Sequence, residues 1–454
     1  MLLLQFRFAN HASFRDEAAL TLVTDTLQTN TPPDGDWLAY TQRVAAIYGA
    51  NASGKTSVLS ALEYMQDMVR HSATSWSSRA TISRRTFRLN EHSSRAPSKF
   101  TLDFVLGGVR YEYGFSINRE RVLEEWLYDY PTTRRRVLLD RDGDGILLGR
   151  ALGAGAALLR NTTGTRELVL SRATVTKHEL LGRISGAITS AIDVTKFGDS
   201  DRQGRIRQVI ADLTAGDLRF SDLEMMLRVA DVGIRGAEID EAKADPKFEK
   251  ILKAVIRESR DDDDDLDDEG LDSQVAELIK EAGRVLRFEH RGSGGQTFKL
   301  SMNLQSTGTL TWLALAAPAI KAIRKGSVYV VDEVDASLHP QLSQVLVQMF
   351  RDPDVNKTGA QLIFTTHDTY FISPSSGAPL KAGEVYFVEK SNDGSSELFS
   401  LSDFATRDAE NFSRRYLQGR YGALPSVAPS FLRSLVESPP EEDAALVEMI
   451  DAKQ

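Results

Sequence analysis

Eight residues near the start of the chain, Gly49-Ala-Asn51-Ala-Ser53-Gly54-Lys55-Thr56, carry the spacing of a Walker A phosphate-binding loop. Glycines at both ends let backbone N–H groups curl round an anion without a side-chain clash, and a helix starting at the lysine turns its positive end toward the same anion. The pattern predicts that Gly49, Asn51, Ser53, Gly54, Lys55, Thr56 and Ser57 hold ATP. Lys55 is expected to reach the β- and γ-phosphates, and Thr56 to coordinate Mg²⁺. A second run, Val328-Tyr-Val-Val-Asp332-Glu333, ends four apolar residues in two acids. Asp332 is expected to share the Mg²⁺ with Thr56, through water, and Glu333 to polarise an attacking water as general base.

Three further stretches extend the series. Gln361-Leu-Ile-Phe-Thr-Thr-His367-Asp368 places a histidine at the end of another apolar strand, where it resembles the switch histidine of ABC ATPases. Leu304-Gln-Ser306-Thr-Gly308-Thr-Leu310 resembles a divergent ABC signature. A serine hydroxyl and a glycine backbone at a helix start suit an anion, and in that class this site faces the γ-phosphate held by a second subunit. Asp335-Ala-Ser337-Leu-His339-Pro340 resembles the D-loop of SMC-like proteins. It puts Asp335 at a dimer seam and leaves His339 an orienting or packing role. No Q-loop glutamine stands in the first lobe after residue 70. This motif order fits an SMC-type split ATPase better than a membrane transporter, whose interval is shorter, or a ring-forming AAA+ ATPase, which lacks the signature.

The elements that must position these residues are readable from periodicity. Continuous apolar runs at Val44–Tyr48, Ser327–Val331, Gln361–Thr365 and Glu384–Glu389 predict strands buried on both faces, and the intervening helical patterns predict a parallel sheet. Helices are expected over Lys55–Arg70, Leu310–Arg324 and Leu342–Phe350. Leu2–Phe8, Ala19–Thr24, Phe100–Leu106, Val109–Ile117 and Glu124–Tyr130 read as strands, with Gly107-Gly108 closing a hairpin. From about Thr165 to Glu258 helical spacing dominates, above all over Ile206–Leu227; Thr297–Leu304 returns to alternation. The expected fold is α/β, a P-loop NTPase of ABC/SMC-like type with a mixed β lobe, a parallel core sheet and a helical insertion or lid. The expected division is a first ATPase lobe over 1–160, a helical insertion over 161–290 and a second ATPase lobe over 291–454.

Composition narrows the classes. The chain has 454 residues, 41% of them hydrophobic, and no cysteine, which excludes disulfides and thiolate metal sites and fits a cytoplasmic location. No run of about 18 apolar residues predicts a membrane span. The opening Met1-Leu-Leu-Leu-Gln-Phe-Arg-Phe reads as a strand and not a signal peptide. Much of the net charge of -9 sits in Asp261–Asp265, Asp267, Asp268 and Glu269, read as a solvated loop. Whole-chain charge gives no argument for nucleic-acid binding; Arg84-Arg85 and Arg134–Arg136 are the candidates should such binding occur.

The chain resembles bacterial RloA/AbiL-type ATP-binding proteins, relatives of the OLD-family and RecF-like ATPases. The resemblance rests on Phe8-Ala-Asn10-His11-Ala-Ser13-Phe14, the loop Gly49–Thr56, Glu125-Trp-Leu-Tyr128, Ala230-Asp-Val-Gly-Ile234, Ser306-Thr-Gly308-Thr309 and the stretch Tyr416–Pro425. It implies phage defence or a restriction-linked function, and a partner encoded alongside, such as an RloB-like Toprim nuclease. With the motif series it implies an ATP-linked dimer as well, higher oligomers being open. The alternative is a RecF/SMC-like DNA-binding ATPase of repair or chromosome maintenance; a third reading is a nucleotide-binding scaffold with negligible turnover.

Overall fold

The computed structural model describes residues 1–24, 26–27, 31–196, 199–230, 233–241, 283–405 and 410–424. The acidic run 261–269, part of the 230–234 stretch and Pro425 lie outside the described residues.

The apolar runs form a six-stranded sheet in the order β16-β15-β3-β14-β13-β9. Its strands are β3 (Val44–Gly49), β9 (Ile192–Thr195), β13 (Val328–Val331), β14 (Gln361–Thr365), β15 (Val385–Lys390) and β16 (Ser396–Ser400). All neighbours are parallel except β15 and β16. Every residue of β3, β13 and β14 is buried, as strands covered on both faces require. Alternation splits the side chains between two cores. Ala45, Ile47, Val330 and Ile363 face one; Val44, Ala46, Tyr48, Tyr329 and Phe364 face the other.

The first core is closed by the helix Lys55–His71, which buries Val58, Leu59, Leu62, Met65 and Val69, and by a seven-stranded antiparallel sheet. That sheet runs β2-β1-β4-β5-β6-β7-β8. It comprises β1 (Leu2–Ala9), β2 (Ala18–Thr21), β4 (Ser98–Leu106), β5 (Val109–Ile117), β6 (Val122–Tyr130), β7 (Arg136–Asp142) and β8 (Gly145–Leu148). β4 and β5 pair down to Leu106 and Val109, and Gly107 and Gly108 turn between them with φ 60° and 79°. Two left-handed residues in a two-residue loop match the strand twist, and glycine adopts them without strain. The second core is closed by the helices Asp199–Ala215, Phe220–Ala230, Thr307–Lys325 and Pro340–Arg351. Trp312 Nε1 donates to the Met226 carbonyl at 2.8 Å, and Lys321–Asp212 and Arg324–Asp222 ion pairs tie these helices together. A three-stranded sheet, β10 (Ile234–Glu241), β11 (Arg284–Arg291) and β12 (Thr297–Ser301), leads into the helix Thr307–Lys325.

Several expectations change in detail. The stretch read as helical from Thr165 contains strands β9 and β10. β9 has only four residues, begins where the helix Glu179–Ala191 ends, and lies at a sheet edge, so it lacks the long apolar run that marks a central strand. Ile206–Leu227 is two helices separated at Gly216, whose φ of 81° ends the first. The alternation of 297–304 stops at Ser301 and gives way to a 3₁₀ turn over Met302–Leu304. The boundary at 290 falls inside β11, and β9, from within 161–290, belongs to the core sheet.

A buried amide helps join the two large sheets, beside the hydrogen bond from Tyr386 Oη to the Thr21 carbonyl. Leu3 lies beyond the residues of β1 that pair with β2. Its N–H donates to Gln361 Oε1 at 2.7 Å, and its carbonyl accepts from Gln361 Nε2 at 2.8 Å; the same Nε2 reaches the Gln42 carbonyl at 3.2 Å. Gln361 thus completes β1 as a strand partner would. Gln361→Leu leaves Leu3 with buried unpaired groups and is expected to destabilise the protein by about 3 kcal/mol. Urea denaturation checks this; a loss under about 0.5 kcal/mol, the scale of an ordinary surface change, contradicts the stitching role.

Candidate functional site

β3 delivers the chain to Gly49, where backbone and neighbours leave no room for a side chain. A Cβ there would lie 2.5 Å from the Val388 carbonyl oxygen and 2.5 Å from Ser53 Oγ. Gly54 has φ 116°, and a Cβ on it would meet Ser13 Oγ at 2.5 Å and Ser396 Oγ at 2.6 Å. Between them Ala52 is left-handed at φ 61°, and Ser53 N–H donates to the Ala50 carbonyl. The result is a tight loop whose last residue opens the 17-residue helix Lys55–His71, with no acidic residue in its first turn to compete for an anion.

Lys55 is buried, and its Nζ donates to the Gly49 and Ala50 carbonyls at 3.0 and 3.1 Å. Burial lowers its pKa, while the charges of Glu333, Asp332 and Asp335 push the other way. Ser53 Oγ is buried in the same loop and has no hydrogen-bond partner among the described residues. An ammonium hydrogen-bonded, among the described residues, to loop carbonyls alone, an orphaned hydroxyl and two positions that exclude Cβ together fit a bound phosphate chain. Asn51 is exposed on the loop, and Ser57 Oγ accepts from Ser13 Oγ at 3.2 Å.

The acidic pair arrives from β13. Asp332 N–H donates to the Thr195 carbonyl of β9, which continues the ladder past the end of the strand. Asp332 Oδ2 accepts from Thr56 Oγ1 at 2.9 Å, across 276 residues of sequence. Asp332 Oδ1 accepts from Thr365 Oγ1 at 2.6 Å. Glu333 follows with φ 53° and an exposed side chain. Asp335 Oδ2 accepts from the His367 N–H at 3.4 Å, and its Oδ1 is buried without a partner. Burial and then the Lys55 charge lower the His367 imidazole, with Asp335, Glu333 and Asp332 opposing. The hydroxyl of Thr56 and the carboxylate of Asp332 are hard oxygen donors of the kind Mg²⁺ takes.

The structure therefore brings Lys55, Thr56, Asp332, Glu333, Asp335 and His367 to the carboxyl ends of β3, β13 and β14, the usual ligand edge of an open α/β sheet. Ser306 and Gly308 lie elsewhere. Ser306 caps the helix Thr307–Lys325 by accepting from Thr309 N–H at 3.0 Å, and a Cβ on Gly308 would lie 3.4 Å from the Ser337 carbonyl oxygen. Among the described residues neither bonds to the phosphate loop of its own chain. His339 caps the helix Pro340–Arg351 through Nδ1, in keeping with an orienting role.

Reading by motif passes over several neighbours. Thr365 and Thr195 hold Asp332, and Ser13 and Ser396 brace Gly54. A cleft of about 430 Å³ beside the start of the helix is lined by Ala12, Ser13, Ser57, Phe87, Leu89 and Gly394 with Arg85 and Arg88. The signal available in the sequence was two polar threonines closing an apolar strand. The arginines named for nucleic acid are largely engaged: Arg84 donates to the Ala96, Ile117 and Ser94 carbonyls, Arg136 pairs with Asp129, and Arg135 stacks on Tyr128.

A family model described as "AAA domain, putative AbiEii toxin, Type IV TA system" matches residues 44–172 and 195–373, about two thirds of the chain. The chain belongs to this family. With the topology above, it is an α/β P-loop ATPase fold with an antiparallel lobe and a largely parallel core sheet. Among solved structures it is similar to an Smc head bound to the C-terminal winged-helix domain of ScpA: 13% identity, TM-score 0.44, covering 88% of this chain and 97% of that one. It is also similar to an Smc head with an extended coiled coil bound to the C-terminal domain of ScpA, derived from Pyrococcus furiosus: 14% identity, TM-score 0.39, covering 92% and 99%. No curated protein matches.

Under the helix, His11 is 1% exposed, packed edge-on to Phe8 and Phe100 and hydrogen-bonded to Ser60 Oγ at 3.1 Å. Burial, helped by Arg85, lowers its pKa from 6.5 to about 4. The unfolded chain therefore takes up a proton that the folded chain refuses. The neutral ring's contribution is complete above pH 6.5 and is lost as the pH falls toward 4. At pH 5 the loss is about 2 kcal/mol relative to pH 7.5. His11→Gln should flatten this part of the pH–stability curve in chemical denaturation; an unchanged slope between pH 7 and 4.5 contradicts it.

Proposed function

We propose that this chain is an ATP-hydrolysing switch of the ABC/SMC-like type that controls a partner effector in bacterial antiviral defence. The observation that carries the catalytic part is the Thr56–Asp332 hydrogen bond beside buried Lys55. It joins the end of the phosphate loop to the end of the acidic strand. Gly49, Asn51, Ser53, Gly54, Lys55, Thr56 and Ser57 hold the triphosphate in this reading, and the cleft lined by Ser13, Ser57 and Phe87 beside the start of the helix offers room for the rest of the nucleotide. Thr56 and Asp332 hold Mg²⁺, which when bound screens the charge on the phosphate oxygens. Glu333, exposed at the strand end, orients and deprotonates the attacking water, and His367 lies alongside to contact the γ-phosphate.

The incomplete site of one chain supports a paired form. Ser306 and Gly308 offer a helix start for an anion but make no bond to their own phosphate loop, so they act on the nucleotide of a second copy, with Asp335 at the seam. The family's toxin–antitoxin description supports the defence setting, and the RloA-like resemblance supports an RloB-like Toprim nuclease as the effector. Among the described residues no helix is long and apolar enough to cross a membrane. The DNA-repair alternative draws little from the structure, because Arg84 and Arg136 serve internal contacts.

Phosphate release tests the reading. Lys55→Ala should abolish nucleotide-dependent turnover, and Glu333→Gln should lower kcat at least about 100-fold while ATP still binds. With saturating Mg-ATP, light scattering should show Glu333→Gln as a dimer. Turnover equal in wild type and Lys55→Ala would mean that this loop is not the catalytic site; a monomeric Glu333→Gln sinks the paired arrangement.

A further inference from the structure

We infer that Thr365 is the positioning residue of this site: its buried hydroxyl decides which Asp332 oxygen faces the phosphate loop and holds Glu333 in its turn. The inference rests on the proposed ATPase reading for its catalytic consequence, but not for its geometry.

Thr365 is the last residue of β14 and is fully buried. A threonine hydroxyl has one hydrogen to give and lone pairs to receive with. Here the hydrogen goes to Asp332 Oδ1 at 2.6 Å, and the oxygen accepts the Glu333 N–H at 2.7 Å. The Thr365 carbonyl accepts the Val334 N–H at 3.1 Å. One residue of the neighbouring strand therefore binds three consecutive residues at the end of β13.

The consequences differ for the two acids. For Asp332, Oδ1 is committed to Thr365, so Oδ2 is the oxygen presented to Thr56 and the phosphate loop. Without the hydroxyl the carboxylate is free to rotate about its terminal torsion, whose energy well is broad. For Glu333 the backbone is the issue. A non-glycine residue at φ 53° is strained and persists only where its surroundings hold it. The bond from its N–H to Thr365 Oγ1 is part of that hold, and it sets the direction in which the Glu333 side chain leaves the strand. Among the described residues the Thr365 hydroxyl bonds to Asp332 and Glu333 and makes no hydrogen bond to the loop, so its effect passes through the two acids.

Two readouts on Thr365→Val and Thr365→Ser test this. Valine keeps the shape and loses the hydroxyl; serine keeps the hydroxyl and loses a methyl. In the nucleotide-free protein, hydrogen–deuterium exchange of a peptide covering residues 328–338 should speed up in Thr365→Val and stay close to wild type in Thr365→Ser. In turnover assays Thr365→Val should lower kcat by about 30-fold. The Mg²⁺ needed for half-maximal rate should rise, and the affinity for metal-free ATP should stay unchanged. Thr365→Ser should recover kcat to within about threefold. Should Thr365→Val fail to fold, Thr365→Ala carries the same comparison. Unchanged exchange and unchanged kcat in Thr365→Val overturn the inference, as does a serine variant as impaired as valine, which would make the role one of packing. A wild type that shows no Lys55-dependent turnover defeats the ATPase reading itself. In that event the exchange result alone decides whether Thr365 orders the strand end.

Discussion

β14 lies between the strand that ends in the phosphate loop and the strand that ends in the acidic pair. Its backbone bonds to β3 on one side and to β13 on the other, in parallel register along almost its whole length. Parallel pairing puts all three carboxyl ends at one edge of the sheet, and this is what converts residues 276 positions apart into a 2.9 Å contact. The rest of the site depends on that ladder. Thr366 N–H reaches back to the Ile47 carbonyl, and Val334 N–H to Thr365, so the crossing points of the three strands are bonded one step beyond the sheet. Burial of both sheet faces leaves these strands little freedom to slip, because a shift of one residue would exchange the side chains facing the two cores.

On this frame the electrostatics are set by burial and proximity together. Lys55 sits under the loop with reduced access to water, a position that weakens its charge, and three acidic side chains oppose that effect without cancelling it. The same acids lie within reach of His367, where they oppose the combined effect of burial and of Lys55. Anionic phosphates would add to the charges already favouring the Lys55 ammonium. The antiparallel lobe contributes by bracing: Ser13 abuts Gly54, and the Gln361 amide fixes β1 against the end of β14 where that strand begins. The phosphate loop is thus supported from the lobe on one side and from β15 and β16 on the other, through the Val388 carbonyl and Ser396.

Central strands of this fold are easy to read because they are covered on both faces and must be continuously apolar; Val44–Gly49, Val328–Val331 and Gln361–Thr365 all announce themselves in this way. Edge strands are not under that constraint. β9 is Ile-Asp-Val-Thr, with Asp193 paired to Arg205, and nothing in four such residues separates it from the end of the preceding helix. The loop lysine and the two acids were legible because their spacing is dictated by chemistry. Thr365 showed only as a polar residue closing an apolar strand; a β-branched residue there is ordinary, and its role appears only when the neighbouring strand is known. Likewise Ser306 and Gly308 read as a helix start from spacing alone, whereas the approach of Gly308 to the Ser337 carbonyl depends on how that helix packs against the acidic strand's loop.

The central claim is that residues near 50 and near 332 grip one magnesium-bound nucleotide. Calorimetric titration of ATP into wild type and Asp332→Asn, each with Mg²⁺ and with EDTA, tests it most directly. Asp332→Asn should weaken binding of Mg-ATP while leaving metal-free ATP unaffected. Equal affinities of wild type and Asp332→Asn for Mg-ATP would contradict it.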